Sequence, residues 1–91
     1  MAKTVVLLTA SWCPRCPAAR RLWERLRDRY GFAYRELDID STEGQEAAVR
    51  YRIQAVPSVV VGGEVFNEVL DEGRALQVLR NRDEHQSTDY S

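Results

Sequence analysis

At Cys13 and Cys16 the hydrophobic pattern of the chain changes period, and that junction restricts the fold more than any other feature. Upstream, residues 3–9 form a short apolar run with two adjacent valines, Val5 and Val6, which suits a strand buried on both faces. Ala10-Ser11-Trp12 breaks the run. From Cys13 onward, Ala19, Leu22, Trp23, Leu26 and Tyr30 recur at helical spacing until Gly31, a natural helix stop. Residues 32–39 then alternate, with Ala33, Leu37 and Ile39 on one side and Phe32 and Tyr34 on the other, and read as a second strand. Strand, helix and strand within about 40 residues predict a right-handed parallel unit.

The second half changes character. Thr42 followed three residues later by Gln45 resembles a capping box that opens a short helix through Ala47, Ala48, Val49 and Tyr51. Val56-Pro57 stops regular structure, after which residues 58–61 and 64–69 read as two strands joined by Gly62-Gly63, an antiparallel hairpin. Ala75, Leu76, Val78 and Leu79 fit a final helix begun near Asp71, where Asp71 and Glu72 suit the positive end of the helix dipole. From Arg82 onward apolar side chains nearly vanish. A chain of 91 residues holds one core, so a single domain is expected over 1–81, with a disordered tail over 82–91.

Charge narrows the partners. With 13 basic and 14 acidic residues the net charge is −1, which gives no field to concentrate nucleic acid or an acidic membrane surface. Arg20, Arg21, Arg25, Arg27 and Arg29 are interleaved with Glu24 and Asp28 at helical spacing and read as a solvated helix face. The opening apolar run is too short for a signal peptide and no stretch reaches membrane-spanning length, so a cytoplasmic location is expected. In that compartment a close cysteine pair is more often catalytic or metal-binding than a structural staple.

The setting of the pair favours redox chemistry. A strand-to-helix junction leaves the N–H groups of the first helical turn unpaired and the dipole positive, which stabilises a thiolate. Pro14 is expected at about the first helical position, where it costs no hydrogen bond, and Arg15 adds positive charge. Both should lower the pKa of Cys13, expected to be the more exposed sulfur. Cys16, three residues on, is expected over the same helical face, close enough to form a disulfide with Cys13. Thiolate Cys13 would attack a substrate disulfide, and Cys16 would resolve the mixed disulfide. Zinc needs four ligands, yet there is no second cysteine pair and the only histidine, His85, lies in the tail, so no metal is expected. A purely structural bridge closing so short a loop would remove little chain entropy.

These residues resemble the thioredoxin-fold family, through Trp12-Cys13-Pro14-Arg15-Cys16 after the first strand and through YRIQAVPSVVVGGEV over 51–65. The resemblance spans about residues 3–80 and implies an α/β fold: a four-stranded mixed sheet in the order β-α-β-α-β-β-α, flanked by three helices. It also implies a cis peptide before Pro57 beside the active cysteine, and a Val56 backbone that pairs with an extended substrate. Trp12, Pro14, Arg15, Val56 and Pro57 are the expected substrate-binding residues, and Cys13 and Cys16 the catalytic ones. Trp12 suits a flat apolar lip beside Cys13 or a cover over the helix start, whereas Trp23, Tyr51 and Ile53 are expected in the core.

Two departures are visible. Where similar thioredoxins bury an aspartate under the active site this chain has Leu7, and Asn67-Glu68 stands where glutaredoxins carry the glycine pair that helps seat glutathione. The expected activity is therefore reduction of protein disulfides by a monomer, with an upstream reductase or glutathione as electron donor and no cofactor beyond the redox-active disulfide. The alternatives are a glutathione-dependent glutaredoxin, a non-catalytic binding module, and an iron–sulfur-bridged dimer, which would be coloured.

Overall fold

The computed structural model describes residues 4–67 and 70–88, the last eight of these as backbone only. Its elements are β1 (Thr4–Thr9), α1 (Cys16–Tyr30), β2 (Ala33–Asp38), α2 (Thr42–Tyr51), β3 (Ser58–Val61), β4 (Glu64–Phe66) and α3 (Glu72–Thr88). The strands form one mixed sheet in the order β2-β1-β3-β4. β1 and β2 are parallel, with Leu7 opposite Glu36, while β3 is antiparallel to both β1 and β4. This is the expected β-α-β-α-β-β-α order.

Alternation along the strands divides the core in two. Val5, Leu7, Val59 and Val61 meet Ala19, Leu22, Trp23 and Leu26 of α1 and Ala75 and Val78 of α3. Leu8 and Val60 point the other way, against Ala47 of α2 and Ile53. Trp23, with Phe32 edge-on to its ring, and Leu26 are almost wholly enclosed, as the helical period predicts. Burying one such side chain contributes about 1.5–3 kcal/mol, against about 0–1 for an exposed ion pair, so the two-sided core carries the fold. The arginines of α1 do less, and differently from expectation. Arg25 and Arg29 reach Glu72 of α3 and Arg20 reaches Glu36 of β2, so much of the pairing joins separate elements.

Several local readings are revised. Helix α1 starts at Cys16, not Cys13, with Arg15 as its N-cap and Pro17 in its first turn. Pro14 therefore lies ahead of the helix, because Cys13 belongs to a turn closed by its N–H on the Ala10 carbonyl at 3.1 Å. The cap of α2 is Ser41 rather than Thr42: Ser41 Oγ accepts the N–H of Gly44 at 2.9 Å, which places the capping triplet one residue earlier. Ser41→Ala should cost about 1 kcal/mol in a urea or thermal unfolding curve, and an unchanged midpoint would contradict that role.

β4 ends at Phe66, short of the expected 69; residues 68 and 69 lie outside the described residues. Gly62 and Gly63 both adopt positive φ, as a tight hairpin turn requires. Near the expected start of α3, Asp71 Oδ1 accepts the Arg74 N–H at 2.8 Å. The helix then runs through Thr88, past the boundary expected at 81; residues 89–91 lie outside the described residues. The stretch 82–88 lacks both glycine and proline, and each added helical residue gains a backbone hydrogen bond.

Candidate active site

Three chain segments converge on the sulfurs. β1 ends at Thr9 and delivers the turn that carries Cys13; α1 begins with Cys16; and the loop before β3 brings Val56 against both. Cys13 and Cys16 are joined as a disulfide, with their Cα atoms 5.5 Å apart. The pair is close because a turn leads into a helix, and not because both residues share a helical face. Ala10, Ile39 and Val56 pack around it. Cys13 is 7% exposed and Cys16 only 1%, so Cys13 is the more accessible residue of the pair. No acidic residue occupies the first turn of α1, which leaves its positive end to act on the segment carrying Cys13.

The expected substrate-binding residues surround this point. The Val56–Pro57 peptide is cis. Pro57 is buried and Val56 half-buried, while Pro14 and Arg15 are exposed. Trp12 is 66% exposed, which favours the apolar lip over a helix cover. Trp12 and Val56 line one open groove of about 460 Å³, together with Ile39, Ala48, Val49 and Ile53. Val49 of α2 is 80% exposed. Two residues past Ala47 it points away from the sheet, a displacement of about 200° that the helical period itself contains. Ser58, wholly buried after Pro57, carries no signal in the sequence: its hydroxyl donates to the Ala55 carbonyl at 2.6 Å and lies 2.9 Å from the Asn67 side-chain amide. It ties the loop to the end of β4.

Set beside this geometry, likeness to known proteins is informative. The glutaredoxin family profile matches residues 5–66. The chain belongs to the glutaredoxin family. It is also 36% identical over 61 residues to the thioredoxin of Methanocaldococcus jannaschii, a match covering 67% of this chain and 72% of that one. To the probable thioredoxin of Archaeoglobus fulgidus it is 29% identical over 75 residues, 81% of this chain and 82% of the other. Among solved structures, a mutant thioredoxin from Halobacterium salinarum NRC-1 superposes with a TM-score of 0.75 at 24% identity, covering 87% of this chain and 73% of that one. The fold is the thioredoxin fold.

Family membership and the Cys13–Cys16 pair together make this glutaredoxin-family chain a thiol–disulfide oxidoreductase. Both departures noted in the sequence have visible surroundings. Leu7 is buried in the core on the α1 side of the sheet, 1% exposed. Asn67, at the first position of the missing glycine pair, has its side-chain amide engaged with Ser58; Glu68 lies outside the described residues.

Proposed function

We propose that the protein reduces disulfides in other proteins by dithiol exchange, with Cys13 as nucleophile and Cys16 as resolving thiol. The observation that carries this reading is a disulfide whose less buried cysteine directly follows Trp12, which lines a largely apolar groove, and precedes a helix whose first turn holds no acidic residue. In the reduced protein the Cys13 thiolate attacks one sulfur of the substrate disulfide. A bond forms from Cys13 Sγ to that sulfur, the substrate S–S bond breaks, and the departing thiolate takes up a proton. Cys16 then gives up its proton and attacks Cys13 Sγ. The intramolecular disulfide forms, the mixed disulfide breaks, and the second substrate sulfur leaves as a thiol. Two electrons pass from protein to substrate.

Recognition follows from the loop geometry. Trp12 supplies an apolar face beside the reacting sulfur, Pro14 and Arg15 form its exposed rim, and the backbone of Val56, fixed by Pro57, offers hydrogen bonds to an extended chain. Such contacts read backbone rather than sequence, which suits a protein serving many disulfides. Protein disulfides are preferred over glutathione as substrate because the glycine pair associated with glutathione is replaced at Asn67, whose amide is engaged with Ser58. The electron donor is an upstream reductase or glutathione, and a reducing compartment such as the cytoplasm is where the couple serves as a reductant.

The test is to equilibrate the protein in defined thiol–disulfide buffers and count alkylated cysteines by mass. A reversible two-electron transition near about −270 mV is expected, whereas one near about −200 mV indicates glutaredoxin-like service. Absence of a reversible transition at any poise overturns the dithiol mechanism.

A further inference from the structure

A cluster of charges on the α1 side of the sheet stands behind the turn that carries Cys13 and one helical turn past Cys16, outside the lining of the substrate groove. Thr9, the last residue of β1 and only 4% exposed, donates from Oγ1 to Glu36 Oε2 at 3.0 Å. Arg20 Nε donates to both carboxylate oxygens of Glu36 at 2.9 Å, and its Nη2 lies 2.8 Å from Oε2. Three elements, β1, β2 and α1, thus meet at one carboxylate. Glu36 starts opposite Leu7 in the sheet, but its carboxylate reaches forward to Thr9, the residue just before the Ala10–Cys13 turn. Arg20 is one helical turn past Cys16, a spacing that brings side chains to about 5–6 Å at Cβ.

That placement sets two fixed charges of opposite sign about one helical turn from the residue whose thiol must lose a proton in the resolving step. Cys16 is 1% exposed, and burial disfavours its thiolate. An unpaired guanidinium one turn away would favour the thiolate; a carboxylate held on that guanidinium cancels the effect. The hydrogen bond from Arg20 to Glu36, and then the charge of Glu36, hold Arg20 above the ordinary guanidinium value, so its cation is permanent. Stabilising a thiolate stabilises the reduced protein and makes the couple more oxidising.

We propose that Glu36 is a positioning residue of the redox couple: by clamping Arg20 beside Cys16 it sets the proton affinity of the Cys16 sulfur and, with it, the reduction potential. The inference rests on the dithiol reading above. Along the chain, the ionisable groups nearest Cys16 are Cys13 in the preceding turn and Arg15 at the helix cap. Ile39 and Val56, packed against it from two further loops, bring no charge. Glu36 acts on Arg20 and on Tyr34 of β2, whose phenol burial pushes up and keeps neutral; Glu24 of α1 acts on both as well, and Arg27 of α1 lies over the Tyr34 ring.

The experiment reads signs. Glu36→Gln preserves shape and can still accept from Thr9, but it leaves Arg20 unneutralised. The reduced-to-oxidised ratio at a fixed glutathione poise, read at a pH high enough to ionise Cys16, should rise about threefold, about 14 mV at 29.6 mV per decade. The Cys16 thiol pKa, read from alkylation rate against pH in a Cys13→Ser background, should fall. Arg20→Gln leaves the carboxylate alone and should move both quantities the opposite way, and the double variant should return toward the parent. Loosened packing would move both single variants alike. Should one variant fail to fold, the sign of the other decides. Shifts of the same sign, or none, overturn the proposal. If the parent chain titrates reversibly while the variants match it, this inference falls alone; if the parent shows no reversible couple, the dithiol reading falls first.

Discussion

Cys13→Ser should reduce turnover of a protein disulfide to the uncatalysed background, whereas Cys16→Ser should keep the first step and accumulate a stable mixed disulfide with substrate. The asymmetry comes from exposure and order. Cys13 stands in a turn outside the helix, less buried than its partner, and under the proposed mechanism it is the one that meets a bulky disulfide. A serine hydroxyl there lacks the thiolate that makes the attack. Cys16 is enclosed by Ala10, Ile39 and Val56, so its sulfur meets only what Cys13 already holds. Its loss leaves attack intact and removes resolution. Thiol release from a disulfide-bonded test protein measures the first variant, and mass spectrometry after quenching measures the second. Turnover by Cys13→Ser would end the assignment, as would a Cys16→Ser protein that traps nothing.

The second large effect is on stability. Gly44→Ala should lower stability by about 3 kcal/mol or more, the top of the range for overpacking, and so lower the thermal midpoint by about 12 °C or more. Gly44 is buried in the first turn of α2, with its backbone laid on the end of β2. A Cβ there would overlap the Asp38 carbonyl oxygen, lie 2.6 Å from its carbon and 3.0 Å from Ile39 Cα. These are backbone atoms with their own obligations. The Asp38 carbonyl accepts both the Ser41 N–H, at 2.9 Å, and the Ser41 hydroxyl, at 2.7 Å, while the Ile39 N–H is held by Thr9 at 2.8 Å. Relief by movement would undo a helix cap and the β1–β2 pairing end together. Alanine is the better helix former by about 1 kcal/mol, too little to offset the overlap. Because Ile39 also packs on the cysteine pair, the variant should lose redox rate along with stability. A midpoint equal to the parent's would refute the close approach.

Much of this was legible in the residues, and the reasons differ by element. Trp23 and Leu26 announce their burial by helical period, and Phe32 and Tyr34 fall on the opposite side from Leu37 and Ile39 as strand alternation requires. The cysteine pair gives away its chemistry by spacing and position. Pro57 is different: the resemblance, and not local pattern, pointed to its cis bond. What escaped reading depends on one-residue precision or on distance in sequence. Proline is welcome in any first turn, so Pro14 and Pro17 compete for the start of α1 and only the turn at Ala10 settles it. Ser41 and Thr42 are both good caps, and the choice belongs to Gly44, which alone can sit on the Asp38 carbonyl. Thr9, Arg20 and Glu36 lie up to 27 positions apart, and nothing in their local sequence declares that they share a carboxylate.

The borders of the sheet carry a consequence for how this chain behaves in a crowd. Its outer strands are β2 and β4, and an exposed outer strand invites another chain to add itself by backbone pairing. β4 offers only three residues, too few to template a stable addition. β2 is longer, but Arg35, Glu36 and Asp38 break it up with charge, and Arg35 is braced against Glu43 at 3.1 Å. Charged side chains and brevity are the ordinary defences against strand-to-strand aggregation. If the protein serves disulfide-bearing clients as proposed, it would thereby be kept from sticking to them by its flanks, and contact would be steered to the end of the sheet where the sulfurs wait.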